Sequence, residues 1–151
     1  MANDDDRTLE IRIARAGDAP DLAALVTELG YPTDAEVIAG RLSSLARSAE
    51  TVLVAVRDAK VIAFVTVHVM PVLHRPTAVG RMSALCVARA ERGRGTGRAL
   101  VLAAERLVAD RGCALIEVTS NRNRPDAHAF YERLGYAITS YRFGKTLTAQ
   151  S

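Results

Sequence analysis

A glycine- and arginine-rich stretch directly before a predicted helix is the strongest chemical signal in this sequence. It consists of Arg92, Gly93, Arg94, Gly95, Thr96, Gly97 and Arg98. Glycines at the start of a helix allow successive backbone N–H groups to point at one anion, and the helix dipole adds favourable potential. The arginines add positive charge. We therefore expect this segment, the phosphate loop, to bind a pyrophosphate.

The spacing of the glycines separates this loop from two other phosphate-binding motifs. A Walker loop requires Gly-Lys-Ser/Thr, and no lysine follows these glycines. A dinucleotide fingerprint requires G-x-G-x-x-G, whereas this loop has G-x-G-x-G with Arg98 at the last position. Glu117 lies near the distance expected for a ribose-binding acid. A dinucleotide site therefore stays open as an alternative, as does a surface turn without a ligand.

Two motifs resemble those of one enzyme superfamily. The R-x-x-G-x-G pattern of residues 92–97 resembles the acetyl-CoA pyrophosphate loop of the GNAT superfamily of N-acetyltransferases. Residues 126–136 resemble the A-x-x-F-Y-x-x-x-G-F/Y signature of a later helix in that superfamily. The resemblance implies that acetyl-CoA donates its acetyl group to a primary amine of a small molecule or protein, by direct transfer in a ternary complex. A non-catalytic regulatory module that binds a CoA derivative is the alternative.

The resemblance also assigns a role to the strand before the phosphate loop. The backbone of Leu85, Cys86 and Val87 would pair with the pantetheine arm, and an N–H near Val87 would hold the thioester carbonyl. Cys86 then has no chemical role for its sulfur. Because Cys86 and Cys113 have no partner at metal-ligand spacing, we interpret both as small core residues and expect no metal.

Tyr131 matches the general acid of the superfamily, which protonates the departing thiolate. The alternative interpretation is a tyrosine that packs beside Phe130. Asn123 lies close to the position of a coenzyme-contacting asparagine, and Asn121 and Arg124 compete for that role.

The general base is less clear, because many family members carry a glutamate on the strand before the loop and residues 80–83 contain none. Glu117 and His74 are the candidates to replace it, with His68 as a third. Each could accept the proton through water. Solvent without a dedicated base is also consistent with the sequence.

Apolar periodicity and turn signals predict the order β-α-α-β-β-β-α-β-α-β-β. The resemblance implies the same fold class, an α/β (mixed α+β) GNAT-like domain with a central mixed sheet of about seven strands flanked by four helices. The predicted strands are residues 9–13, 51–56, 61–70, 78–87, 114–119, 136–139 and 141–147. Predicted helix starts are Asp18, a capping box of Thr33 and Glu36, Thr96 and Pro125.

Composition and charge indicate the domain organisation and the cellular compartment. Residues 1–7 are expected to form a disordered acidic leader, and residues 8–149 a single domain. The formal net charge of +3 is too small to predict nucleic-acid binding. No signal peptide or membrane-spanning run is evident, so we expect a cytoplasmic protein whose partners are acetyl-CoA and an amine acceptor. A homodimer is left open.

Overall fold

The computed structural model describes residues 8–149, and the predicted leader of residues 1–7 lies outside them. The described chain divides into two units, one ending at Val118 and the other beginning at Thr119. The prediction that residues 8–149 form one domain stays a prediction. No helix in the described range is long and apolar enough to span a membrane.

A five-stranded mixed sheet forms the centre of the first unit. Its strands are β1 (Glu10–Ile13), β2 (Glu50–Arg57), β3 (Lys60–Met70), β4 (Val79–Val87) and β5 (Leu115–Val118), and they lie side by side in chain order. Neighbouring strands are antiparallel except β4 and β5, which are parallel. The helix between β4 and β5 supplies the crossover that a parallel pair requires. The predicted hairpin of β2 and β3 is confirmed.

Among the described residues, three α-helices belong to the first unit and one to the second. They are α1 (Ala19–Leu29), α2 (Ala35–Leu45), α3 (Thr96–Asp110) and, after β5, α4 (Pro125–Arg133). Gly30 ends α1 with a φ of 113°, a left-handed conformation that glycine adopts without strain. The four predicted helices are confirmed.

Two predicted helix caps differ from the structure in detail. Asp34, not Thr33, caps α2, because its carboxylate accepts the backbone N–H of Val37 at 2.9 Å. Asp18 precedes α1 but does not cap it with its side chain. Its carboxylate instead accepts two bonds from Arg12, at 2.7 and 2.9 Å, and lies partly buried. The same carboxylate also accepts the backbone N–H of Arg15 at 2.7 Å, so its bonds lie on the side of the preceding turn rather than on the first turn of α1.

The two faces of the sheet pack against different helices. Leu22 of α1 and Ile38 of α2 belong to the apolar cluster that includes Phe64 of β3. On the opposite face, α3 contributes Leu100, Val101, Ala104 and Val108, all buried. Gly80 of β4 faces α3, because a Cβ at this position would lie 2.4 Å from a methyl carbon of Val108. The side chains of the residues directly before and after Gly80 therefore point to the opposite face of the sheet.

The two predicted terminal strands, residues 136–139 and 141–147, are wrong. Within the described range the sheet has five strands rather than about seven, and neither segment is a strand. The apolar side chains that suggested them, Ile138, Tyr141, Phe143 and Leu147, are 78–93% exposed. Alternation of apolar residues expresses a tendency to form a strand, but a strand exists only when a neighbouring edge pairs with it.

Candidate active site

The phosphate loop joins the end of β4 to the start of α3. Gly93 and Gly95 have φ angles of 76° and 81°, which only glycine adopts readily. Gly95 is the N-cap of α3, and within the described residues no side chain caps this helix start. The first backbone N–H groups of α3, from Thr96 to Arg98, are therefore not used by a cap and lie at the positive end of the helix dipole.

Acidic side chains hold the arginines of this region in place. Glu28 accepts the backbone N–H of Arg89 at 2.8 Å and lies 3.6 Å from the Arg92 guanidinium. The Nε of Arg92 donates to the carbonyl of Val87 at 3.2 Å. Arg92 therefore contributes positive charge and also stabilises the turn between β4 and the phosphate loop through this hydrogen bond.

Glu91 organises a second group of arginines. Its carboxylate binds Arg57 of β2 and lies 3.2 Å from Arg94. Arg98 is exposed on the first turn of α3. Arg92 and Arg94 would each have to give up a contact with a glutamate to bind a ligand. Arg98 is thus the loop arginine best placed to bind one.

The edge of β4 becomes free before the strand ends. Pairing with β5 runs from Val79 to Met82 and stops, whereas β4 continues to Val87. A β-bulge at Ser83 accompanies this change, because Thr66 of β3 pairs with Ala84 and its neighbour Val67 with Met82. The predicted arm-binding positions 85–87 lie on this free edge. Strand alternation turns the N–H groups of Leu85 and Val87 away from β3, whereas that of Cys86 points towards it.

The prediction that both cysteines are core residues is confirmed for Cys86 but not for Cys113. Cys86 is buried, and its thiol donates to the carbonyl of Leu25 in α1 at 3.4 Å. Cys113 is partly buried.

Glu117 belongs to a row of four polar side chains that crosses the sheet from β2 to β5. Strand register places Glu50 opposite His68, His68 opposite Arg81, and Arg81 opposite Glu117. Arg81 donates to Glu117 Oε1 from Nε at 2.8 Å and from Nη2 at 2.5 Å. His68 Nδ1 lies 3.2 Å from Glu50 Oε1. We call these four residues the polar row.

The sequence did not identify Arg81 and Glu50 as site residues. The structure places the three candidate bases in two different regions. Glu117 and His68 belong to the polar row, whereas His74 lies exposed in the loop of residues 71–78 between β3 and β4. A signal for Arg81 was present, since it is the one charged residue within β4. Its partners could not be read from sequence, because strand register decides them.

The second unit contains the predicted asparagine loop and the predicted acid. Asn121 Oδ1 accepts the backbone N–H of Asn123 at 2.9 Å, so its side chain shapes the loop while Asn123 is exposed. Tyr131 of α4 packs edge-on against Phe130 and Tyr136, with ring centroids 5.1 and 5.8 Å apart. Burial raises the pKa of the Tyr131 phenol, against a smaller opposite effect of the Arg124 charge. The phenol is therefore protonated throughout the neutral range.

Comparisons with known proteins agree with this geometry. Residues 21–136 match the family model described as Acetyltransferase (GNAT) family. The aminoalkylphosphonate N-acetyltransferase of Salmonella typhimurium (strain LT2) is 34% identical over 93 residues, which are 62% of this chain and 60% of that protein. This chain thus spans less than two thirds of that relative.

Solved structures show the same fold. A putative acetyltransferase from Agrobacterium tumefaciens is 29% identical with a TM-score of 0.82, covering 91% of this chain and 99% of that one. An aminoglycoside N-acetyltransferase in complex with CoA is 14% identical with a TM-score of 0.83, covering 95% and 97%. The family match includes the free edge of β4, the phosphate loop and the Tyr131 helix, and the chain belongs to the acetyltransferase (GNAT) family.

Proposed function

We propose that this protein is an acetyl-CoA-dependent N-acetyltransferase that transfers the acetyl group to a primary amine of a small molecule or protein. The observation that carries the proposal is the continuity of two features. The free edge of β4, from Ser83 to Val87, leads directly into a helix start whose backbone N–H groups are not used by a cap. A ligand that combines an extended amide-containing arm with a pyrophosphate matches both features. The named relative supports a small-molecule amine.

The residues present fit this coenzyme. The backbone N–H groups of residues 95–98 and the Arg98 guanidinium would hold the pyrophosphate, and the edge at Leu85, Cys86 and Val87 would pair with the arm. Gly93, Arg94 and Thr96 shape the loop, Arg92 braces it, and Asn123 offers an exposed amide. When bound, acetyl-CoA supplies the acetyl group as a thioester.

The direction of β4 indicates where the acceptor meets the thioester. The pyrophosphate end lies beyond Val87, so an arm that follows the free edge runs back towards Ser83. The reacting end then lies towards the bulge, and Leu85 joins Val87 as a candidate N–H donor for the thioester carbonyl, because alternate residues of β4 (Ala84, Cys86 and Ala88) direct their N–H groups to β3. Such a donor stabilises the negative charge that develops on this oxygen.

Two proton transfers accompany amide formation. The amine must lose a proton to become nucleophilic, and the departing sulfur must gain one. Tyr131 is the proposed acid, supported by the family motif and by its raised pKa, which keeps the proton available. Glu117 is the first candidate for the base because it lies beside the last paired residues of β4 and β5, and His74 is the second.

The coenzyme loop is tested by calorimetric titration of acetyl-CoA into wild type, Gly95→Asp and Gly95→Asn. Both side chains tolerate the left-handed backbone better than most, and they differ mainly in charge. Gly95→Asp should lose at least about 2 kcal/mol of binding, roughly 30-fold in Kd, because a carboxylate meets the pyrophosphate. Gly95→Asn should lose clearly less.

Equal affinity for wild type and a folded Gly95→Asp variant would contradict the proposed coenzyme site. Tighter binding of NADH than of acetyl-CoA would support the dinucleotide alternative. Release of free thiol from acetyl-CoA in the presence of amines tests the transfer itself. Coenzyme binding without thiol release from any amine would support the regulatory module instead.

A further inference from the structure

The polar row faces away from α3 and lies beside the free edge of β4. Gly80 points at Val108 of α3, so Arg81, the next residue along the strand, points to the opposite face. Register places Glu117, His68 and Glu50 on that same face. Only one pair of residues, Met82 and Val118, separates the Arg81–Glu117 pair from the point where β4 and β5 part. The row therefore borders the region proposed for the reacting end of the arm.

The row is most open to solvent at its Arg81–Glu117 end. The side chains of Arg81 and Glu117 are 41% and 38% exposed. Both bonds of their ion pair use one carboxylate oxygen, Oε1, and the guanidinium nitrogens Nε and Nη2. The second carboxylate oxygen and Nη1 are not used by this pair. Because an ion pair with this exposure contributes little to stability, a ligand can bind to both partners at low cost.

The charges of the row suit an acceptor that carries both signs. Two carboxylates attract an ammonium group, whereas Arg81 repels it, so a plain amine gains little here and a polyamine is disfavoured. An acidic group elsewhere on the acceptor turns this repulsion into attraction. A guanidinium binds carboxylates and phosphonates through charge-assisted hydrogen bonds, which are among the stronger polar contacts in proteins.

We propose that the polar row is the acceptor subsite and that the acceptor is a small amine bearing an acidic group. Arg81 binds the acid and Glu117 the ammonium, next to the free edge of β4. The hydroxyls of Thr66 and Ser83, which lie 2.6 Å apart, supply neutral hydrogen-bonding groups beside the row. This inference rests on the proposed transferase function and specifies the chemistry of its acceptor.

Three matched amines test the proposal, each as an acceptor for thiol release: 2-aminoethylphosphonate, ethanolamine and 1,2-diaminoethane. Wild type should prefer the phosphonate by kcat/KM and disfavour the diamine. In Arg81→Gln the ratio of kcat/KM for phosphonate over ethanolamine should fall about 10- to 100-fold, the range expected for loss of a charge-assisted hydrogen bond. Arg106→Gln, the same substitution at an exposed position of α3, should keep the wild-type ratio.

Binding provides a readout that does not depend on turnover. NMR titration of 2-aminoethylphosphonate should shift backbone signals of residues 81–84 and 117 in wild type, and the shifts should weaken in Arg81→Gln. If Arg81→Gln fails to fold, Arg81→Lys keeps the charge but not the planar fork, and the kcat/KM ratio should still fall at least about threefold.

The outcomes separate this inference from the proposed function. Thiol release with a preference for ethanolamine, or an unchanged ratio in a folded Arg81 variant, would overturn the acceptor proposal and leave the transferase intact. Absence of acetyl-CoA binding would overturn the transferase. If acetyl-CoA does not bind, NMR shifts confined to the polar row on addition of 2-aminoethylphosphonate would still support a site for an acidic amine. Absence of those shifts would overturn the acceptor site as well.

Discussion

Replacing Gly80 with alanine tests how closely α3 approaches β4. An alanine Cβ would lie 2.4 and 2.6 Å from the two methyl carbons of Val108 and 3.0 Å from its Cβ. Ordinary carbon contacts begin near 3.4 Å, so the helix and strand must separate by about 1 Å. Val108 is itself buried, with 2% of its surface exposed, so it cannot turn into solvent to relieve the overlap.

The expected cost follows from this overlap. Inserting a methyl group into a packed core costs about 1–3 kcal/mol, and a clash of both Val108 methyls favours the upper part, about 2–3 kcal/mol. For a chain of this size the melting temperature should then fall by about 4–12 °C.

The assay is reversible urea unfolding followed by circular dichroism, with two controls. Gly40→Ala places the same methyl group on an exposed turn of α2, with nothing within 4 Å of the new carbon, and should stabilise by about 0.5–1 kcal/mol. Val108→Ala removes the clashing methyls. Gly80→Ala with Val108→Ala should be more stable than the sum of the single effects predicts, by at least about 1 kcal/mol.

Two results would refute this reasoning. One is a cost below about 0.5 kcal/mol for Gly80→Ala alone, which is the range of an unremarkable surface change. The other is strict additivity in the double variant, which would mean that Gly80 and Val108 do not meet.

Two further predictions concern single groups. Tyr131→Phe should lower kcat roughly 10- to 1,000-fold with little change in melting temperature or coenzyme affinity, and full kcat with rate-limiting chemistry would remove Tyr131 as the acid. Asp18→Asn should destabilise by about 1–3 kcal/mol at pH 7. The hydrogen bonds from Arg12 lower the pKa of Asp18, so its contribution is present above its unfolded pKa and is lost as the pH falls through the folded value. Urea unfolding at pH 7 and pH 3 should therefore show a smaller acid loss for Asp18→Asn than for wild type.

Most helices and strands could be predicted from local sequence signals, because the signals that start, end and pattern an element come from residues close together in the chain. The apolar stripe of α3, the C-cap Gly30 of α1 and Gly112, which follows the C-cap of α3, act over one or two helical turns. The Asp58–Ala59 turn of the β2–β3 hairpin is similarly local, with φ angles of 52° and 62°. The prediction of two terminal strands was wrong because alternation of apolar residues is a local property, whereas strand pairing depends on residues distant in the chain.

For the candidate site, the sequence by itself was enough to predict the phosphate loop and to identify the family motif around Tyr131. Both are contiguous segments, so their residue types and spacing can be read along the chain. Only the tertiary structure decided the bulge at Ser83, the free edge of β4 and the ion pair of Arg81 with Glu117. These features join residues up to 36 positions apart. Their physical cause is the register between strands, which depends on how the whole sheet packs against α1, α2 and α3.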